Sequence, residues 1–443
     1  MLRGMDFYRS LPESELMKIE KSGIYRWQVF FSRMWKQLLC GGMEDKLDFI
    51  QYLLNTICKR HHYLCKSRYY FDPICQVRVE ADKMRLQKYT KWVDDGIFIF
   101  AGMPAYSMGG GQRSAQLAKN FSAMGKQVYY FFSQSFHRIP LQTDIKFSYQ
   151  HQAIFTVTVN EVMSHAGIKS VFLFEAPVQQ FLPYLEAAYE RKIYTIYEHI
   201  DNWETVLGRD FYQDKLQQRF LETADVITVT SRNLTGLLKN RVNKKIYYLP
   251  NAVDDTVFNA KKEYGCPNDM ILAVEGEKTI LYFGSLWEEW IDWELIQGTA
   301  RLCPECSFNM IGEHNFSKED VIVKKYQNIH FLGAKNQQEL PAYLRYCDFA
   351  IIPFRVDNIG TYVSPIKIFE YLAMDVKVIT TSLPDVGNYP NTILRNTPEE
   401  WERVIHDSLK ISDDRMACQK FVQENCWRAR CERLLSLESS SYN

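Results

Sequence analysis

The chain has 443 residues, 46% of them hydrophobic, and its 53 basic and 53 acidic side chains leave no formal net charge. That length supports two or three domains with sizeable cores. Balanced charge excludes a protein that lives by holding a polyanion, so no nucleic-acid partner is expected.

The amino terminus, Met1 to Arg9, has no apolar core segment and runs into Pro12-Glu13-Ser14-Glu15, so no signal peptide is expected. No uncharged apolar run reaches the ~18 residues needed to span a bilayer. Eleven scattered cysteines fit a reducing cytoplasm better than a disulfide framework.

Residues 1–92 read as a helical extension with few glycines. Within it Trp27, Phe30, Phe31, Met34, Trp35, Leu38 and Leu39 recur at helical spacing, with Arg26, Arg33 and Lys36 largely off the stripe. Such a stripe either packs on its own domain, the commoner case, or lies on an anionic membrane surface. Cys58, His61, Cys65 and Cys75 have the chemistry of zinc ligands, but they sit in a helical pattern that lets each face a neighbour, and no metal is expected.

At residue 96 the texture changes. Ile97-Phe98-Ile99-Phe100-Ala101 reads as a buried strand, followed by the glycine run Gly109-Gly110-Gly111 and a helix from Gln112 to Met124 that Gly125 stops. With the strand Gln127 to Phe132 this makes one βαβ unit. Contiguous glycines permit close approach of backbone to an anion or sugar. They lack the G-x-G-x-x-G spacing of a dinucleotide site, and the next strand runs into Ser133-Gln134-Ser135 rather than an acidic residue. Walker A, G-x-S-x-G and H-E-x-x-H patterns are absent as well.

Strand patterns continue at Ser170 to Phe174, Lys192 to Tyr197, Val226 to Thr230 and Ile246 to Leu249. Glu198, His199 and Asp201 follow the second of these, with Asn202 and Trp203 beside them. A carboxylate, an imidazole and a second carboxylate at a strand's carboxyl end suit the orientation of sugar hydroxyls, and these three are the candidate catalytic residues. Helix capping by Asp201 or Asn202, with His199 an ordinary core neighbour, is the plainer alternative.

A second alternating series starts at Lys278 and runs through Ser307 to Gly312, Ile329 to Gly333, Asp348 to Phe354 and Lys377 to Thr381. Cys303-Pro304-Glu305-Cys306 reads as a turn within it. Two such series predict an α/β protein with two doubly wound domains, divided between residues 250 and 278. Between the last two strands, Ser364 and Pro365 are expected to open a helix as N-cap and first residue. The spacing puts Ile366, Ile368, Phe369, Leu372 and Ala373 on one side and Lys367, Glu370 and Tyr371 on the other. A cation and a carboxylate then stand near a helix N-terminus at a strand's carboxyl end, where anionic ligands bind. The alternative is an i,i+3 salt bridge facing solvent. Arg355 is a further candidate for neutralising a phosphate.

Four segments, in order, resemble the retaining nucleotide-sugar glycosyltransferases of family 4, the group 1 type. They are the glycine loop Gly109 to Arg113, the junction Leu249-Pro250-Asn251-Ala252-Val253-Asp254 with Phe258, the helix Ser364 to Ala373 ("SPxKxxEYLA"), and Asn425-Cys426-Trp427 with Arg430. The resemblance covers residues 96 to about 436 and implies a GT-B fold. Two Rossmann-like domains would face a cleft, an acceptor domain over 93–250 and a donor-binding domain over 251–420, with a crossover helix over 421–443 closing back.

It further implies donor binding by Glu370 to the ribose, Lys367 to the pyrophosphate, and Gly110 and Gly111 to phosphates or sugar. Leu332 and Gly333 would meet the base through their backbones, and Ser364 belongs to the same motif. No cofactor is implied beyond the nucleotide-sugar substrate. The expected protein is a cytoplasmic, metal-independent hexosyltransferase using a UDP-sugar more readily than a GDP-sugar, with a surface polysaccharide or lipid-linked glycan as acceptor. Peripheral contact with the inner face of the plasma membrane is compatible with this. Alternatives are a sugar-nucleotide epimerase of similar fold and a catalytically silent partner in glycan assembly. The sequence departs from the family pattern twice. Tyr362 replaces a common glutamate, and no basic residue directly follows Gly284.

Overall fold

The computed structural model describes residues 94–103, 111–132, 149–151, 159–208, 211–314, 325–357, 359–407 and 414–439, with Ile322, and among the first 93 chiefly 5–12, 22–40 and isolated positions to 80. The first region contains α1 (Met5–Arg9) and α2 (Gly23–Arg33), and Met34–Leu39 continue α2 as a π-helical turn. Ser22 caps α2 by accepting the Tyr25 N–H at 3.2 Å.

The aromatic stripe does not take the inner position that the commoner reading predicts. Tyr25, Val29, Arg33 and Gln37, spaced by four, form the packed row: Tyr25, Arg33 and Gln37 are buried, and Val29 lies against the small core of Tyr8, Leu16, Tyr25 and Ile74. Arg33 Nε donates to Gln37 Oε1 at 3.2 Å, and the Tyr25 hydroxyl accepts the Ile74 N–H at 3.1 Å, so the inner polar groups are satisfied. Trp27, Phe31 and Trp35, two residues out of phase with that row, are 62%, 53% and 62% exposed. No helix among the described residues is long and apolar enough to cross a membrane.

The first α/β domain is built on seven parallel strands: β1 (Ile97–Ala101), β2 (Val128–Phe132), β3 (Tyr149–His151), β4 (Val171–Phe174), β5 (Tyr194–His199), β6 (Val226–Val229) and β7 (Ile246–Tyr248). They are ordered β3-β2-β1-β4-β5-β6-β7. The connecting helices are α3 (Arg113–Ala123), α4 (Val159–Met163), α5 (Leu182–Glu190), α6 (Asp214–Thr223) and α7 (Arg232–Leu238). Parallel register sets Phe98 beside Tyr129 and Phe172, and Phe100 beside Phe131 and Phe174. The rings stack at centroid distances of 4.3, 4.6, 5.2 and 4.5 Å, so the aromatic-rich strand runs become a ladder across one sheet face.

The second domain carries β8 (Thr279–Phe283), β9 (Ser307–Ile311), β10 (Ile329–Gly333), β11 (Phe349–Ile352), β12 (Lys377–Thr380) and β13 (Thr392–Leu394), ordered β10-β9-β8-β11-β12-β13. Its helices are α8 (Trp293–Leu302), α9 (Leu340–Arg345), α10 (Ile366–Ala373) and α11 (Pro398–His406), the last opened by a Thr397–Glu400 capping box.

Two sequence expectations change here. The helix after Ser364 takes Pro365 as its N-cap without a side-chain bond, and Ile366 is its first residue. Ser364 is instead occupied through its carbonyl, which accepts from Asn251 Nδ2 at 2.6 Å. Tyr371 lies in the core rather than on a polar side, its hydroxyl accepting the Phe283 N–H at 3.2 Å. A helix buried almost all round cannot keep the two-sided pattern of a surface helix.

Where one closing helix is expected, the chain forms α12 (Arg415–Glu424) against α10 and α13 (Trp427–Ser439) against α3. The break falls where the backbone pairs with the interdomain linker: Val253 N–H donates to Asn425 O at 3.0 Å and Trp427 N–H to Val253 O at 3.1 Å. Beyond it, buried Trp427, Cys431, Leu434 and Leu437 join the first domain's core.

Candidate active site

In an open parallel sheet, ligands bind at the carboxyl edge where strand order reverses. In the second sheet that point lies between β8 and β11. Its floor is glycine. Gly284, Gly312 and Gly333 end β8, β9 and β10 with φ of +134°, +151° and +70°. A Cβ on Gly312 would fall 1.8 Å from the Gly284 carbonyl oxygen, so only glycine lets these backbones approach. The sequence reading singled out Gly333 but missed Gly312, whose need appears only once β8 and β9 are neighbours.

Lys367, in the first turn of α10, extends over this floor: a Cβ on Gly284 would lie 2.8 Å from its Cε and 3.2 Å from its Nζ. The ammonium sits 4.6 Å from the Phe354 ring centroid and 5.4 Å from that of Tyr282. Among the described residues it has no hydrogen-bond or ion-pair acceptor, so the i,i+3 salt bridge with Glu370 is not formed. Burial, only partly offset by the nearby Glu370 charge, lowers its pKa to about 8.

Glu370 is 6% exposed, and its Oε1 accepts from Gln337 Nε2 at 3.2 Å. Burial pushes its pKa up to about 7, and the Gln337 bond and Lys367 hold it from rising further. A half-satisfied carboxylate and an unpaired cation at a sheet's switch point suit a ligand carrying hydroxyls and an anion together.

Arg355 is exposed on the loop after β11, tied by its N–H to Trp290 O at 2.9 Å. Leu332 is half-buried and Gly333 exposed at the end of β10, with the Gly333 carbonyl accepting the Gly312 N–H at 3.0 Å. Gly111 immediately precedes Gln112 and α3, and Gly110 lies outside the described residues, as do Cys58, His61, Cys65 and Cys75. At the opposite, amino end of the second sheet, Glu277, Glu305 and His406 bring ligand atoms within 4.8 Å of one another, away from this floor.

The first sheet reverses between β1 and β4. Glu175, just past β4, accepts the Gly102 N–H at 2.9 Å, and burial raises its pKa. Sequence reasoning missed Glu175, since a single acidic residue after a strand forms no pattern. The three candidate catalytic residues divide. Glu198 is buried in an ion pair with Arg113 at 2.8 Å, a structural bond rather than a group open to a cleft. His199 is wholly buried, its Nδ1 3.0 Å from the Tyr197 hydroxyl, and burial lowers its pKa to about 3, so it stays a neutral core imidazole. Asp201 is half-buried, and burial followed by the Glu175 charge raises its pKa to about 7. Of the three, Asp201 alone keeps access, and its raised pKa lies near neutrality.

The two domains meet through directional bonds. Arg113 donates to Pro250 O at 3.1 Å and Asn251 Oδ1 at 3.2 Å, and Arg430 donates to Pro250 O at 2.8 Å and Asn251 O at 3.2 Å. Asn251 is thereby oriented toward Ser364. The loop carrying Tyr362 is held from the first domain by Ser231 Oγ to Tyr362 O and Asn233 Nδ2 to Thr361 O, both 2.8 Å. Tyr362 itself packs against the first domain's core and so contributes to docking.

Residues 277–409 match the family described as glycosyl transferases group 1. A Bacillus subtilis (strain 168) protein, TuaH, named as a glycosyltransferase of teichuronic acid biosynthesis, is 25% identical over 213 residues, 47% of this chain and 51% of its own length. This chain thus spans about half the length of that curated relative. Among solved structures, Anabaena Alr3699/HepE in complex with UDP superposes with a TM-score of 0.58 at 13% identity, covering 78% of this chain and 100% of that one. Sucrose-phosphate synthase from Thermosynechococcus elongatus gives 0.57 at 12% identity, covering 78% and 99%. The fold is GT-B, and the match to the group 1 glycosyltransferases covers residues 277–409.

Proposed function

We propose that this protein is a retaining, metal-independent glycosyltransferase that moves a sugar from a nucleoside diphosphate donor to a surface polysaccharide or lipid-linked glycan. The observation that carries the reading is Lys367: a cation without an ion-pair partner, over a glycine floor, one turn from a carboxylate that is itself only half engaged. A pyrophosphate on Lys367 and the N-terminal amides of α10, with ribose hydroxyls on Glu370, satisfies both. UDP is favoured over GDP, a choice supported by the Anabaena relative with bound UDP-glucose. The name of the Bacillus relative favours a cell-surface glycan as acceptor.

In such a reaction the bond from the sugar's anomeric carbon to the diphosphate breaks while the acceptor oxygen bonds to that carbon from the same face. Lys367 and the α10 amides stabilise the charge gathering on the diphosphate. Asp201, across the cleft, is assigned to the acceptor hydroxyl, whose proton leaves with the departing phosphate. Calorimetric titration with UDP, followed by a transfer assay, tests this. Binding lost in Lys367→Ala and Glu370→Ala supports it, and unchanged affinity and turnover in both overturns the site. Free or epimerised sugar without acceptor would favour the epimerase, and absence of UDP binding the silent partner.

Peripheral membrane contact is favoured by the exposed Trp27, Phe31 and Trp35 on α2 and its continuation, a segment from Ser22 to Cys40 with exposed Arg26 and Lys36 and no acidic residue. Flotation with phosphatidylglycerol vesicles should recover the wild type, and Trp27→Glu with Trp35→Glu should release it. Recovery of neither, or of both alike, defeats that contact.

A further inference from the structure

The donor carboxylate is not supported by its own domain alone. Gln337, in the loop between β10 and α9, donates to Glu370 and accepts at its Oε1 from Gln116 Nε2 of α3, in the first domain, at 3.3 Å. All three side chains are buried, at 6%, 5% and 2% exposure for Glu370, Gln337 and Gln116. An ionised carboxylate only accepts, so Gln337 must present its amide nitrogen to Glu370, which leaves its oxygen for a donor. Gln116 supplies that donor from across the domain boundary. One turn further along α3, Lys119 pairs with Asp254 of the interdomain linker.

We propose that Gln337 is a positioning residue for Glu370, set from the first domain by Gln116, so that nucleotide affinity depends on contact between the domains. This rests on the reading of Glu370 as the acceptor of ribose hydroxyls. Gln337 takes one carboxylate oxygen and leaves the other for the nucleotide. It also favours the charged form of Glu370, alongside Lys367 and against Asp254, the other charged groups that face it. Removing the amide lets the carboxyl retain its proton to higher pH. The loss in affinity should then be greatest at low pH and shrink as pH rises, which a purely packing defect would not produce.

The experiment is UDP titration from pH 6 to pH 9 on the full chain, wild type against Gln337→Met and Gln116→Leu, with melting temperatures recorded in parallel. At pH 6.5, Gln337→Met should weaken UDP about tenfold, as a charge-assisted hydrogen bond implies, and Gln116→Leu about threefold. Both gaps should narrow toward pH 9. Wild type failing to bind UDP removes the donor reading and this inference with it. Wild-type binding matched by Gln337→Met overturns the inference alone. A Gln337→Met effect with none from Gln116→Leu overturns the interdomain part. Should Gln337→Met fail to fold, Gln116→Leu at the domain boundary still decides the point.

Discussion

The two sheets reverse strand order in the same way, yet their switch points are furnished with opposite charge. Beside the β8–β11 gap stand the closely approaching Gly284 and Gly312, a lysine with no ion-pair partner among the described residues, and a glutamate bonded at one oxygen. Between β1 and β4, and at the end of neighbouring β5, stand Glu175, Glu198 and Asp201, of which Glu198 is neutralised by Arg113. The same topology therefore carries a lysine with a glutamate at one switch point and carboxylates at the other. Charge at the strand ends, not fold, is what the proposed placing of the diphosphate in the second domain rests on.

The two buried-side cations sharpen that contrast most. Arg113 is 2% exposed and engaged by Glu198, Pro250 and Asn251. Removing it as Arg113→Met strands the buried Glu198 charge and should cost about 3–5 kcal/mol of stability, read by urea unfolding. Asp201→Asn and Glu175→Gln should be next. If the acidic end serves the acceptor, Asp201→Asn lowers turnover about 100-fold with UDP affinity unchanged, on the scale of a misplaced acceptor hydroxyl. Loss of UDP affinity in Asp201→Asn would break the division between the two ends.

A smaller effect is expected in pH dependence. UDP binding wants Glu370 ionised, above about 7, and Lys367 protonated, below about 8. Affinity should therefore peak between these values and fall a few-fold within about one unit on either side. A flat titration from pH 6 to pH 9 would contradict the assignment of both groups.

The strands of both domains were legible because continuous apolar runs such as Phe98 to Ala101 and Ala350 to Ile352 occur only where both sheet faces are covered. The three-residue strands β3 and β13 were not, since so short a run carries no period. The placing of Lys367 and Glu370 on one short helix after β11 was legible from motif and spacing together. Gln116 and Gln337 were invisible: 221 positions separate them, and an amide in a helix has no local signature of its partner. The burial of Glu198 and His199 was hidden for a related reason. Sequence places them at a strand's carboxyl end but cannot tell that the strand's register buries both.

Lys367→Met examines the central claim most directly, by UDP titration and thermal unfolding of the same protein. A lysine kept for a ligand should be replaceable without loss of melting temperature, because its desolvated ammonium has no ion-pair partner to lose, while UDP affinity should fall about 30-fold or more. A variant that melts well below the wild type yet binds UDP equally well would mean that Lys367 serves the fold and not the nucleotide.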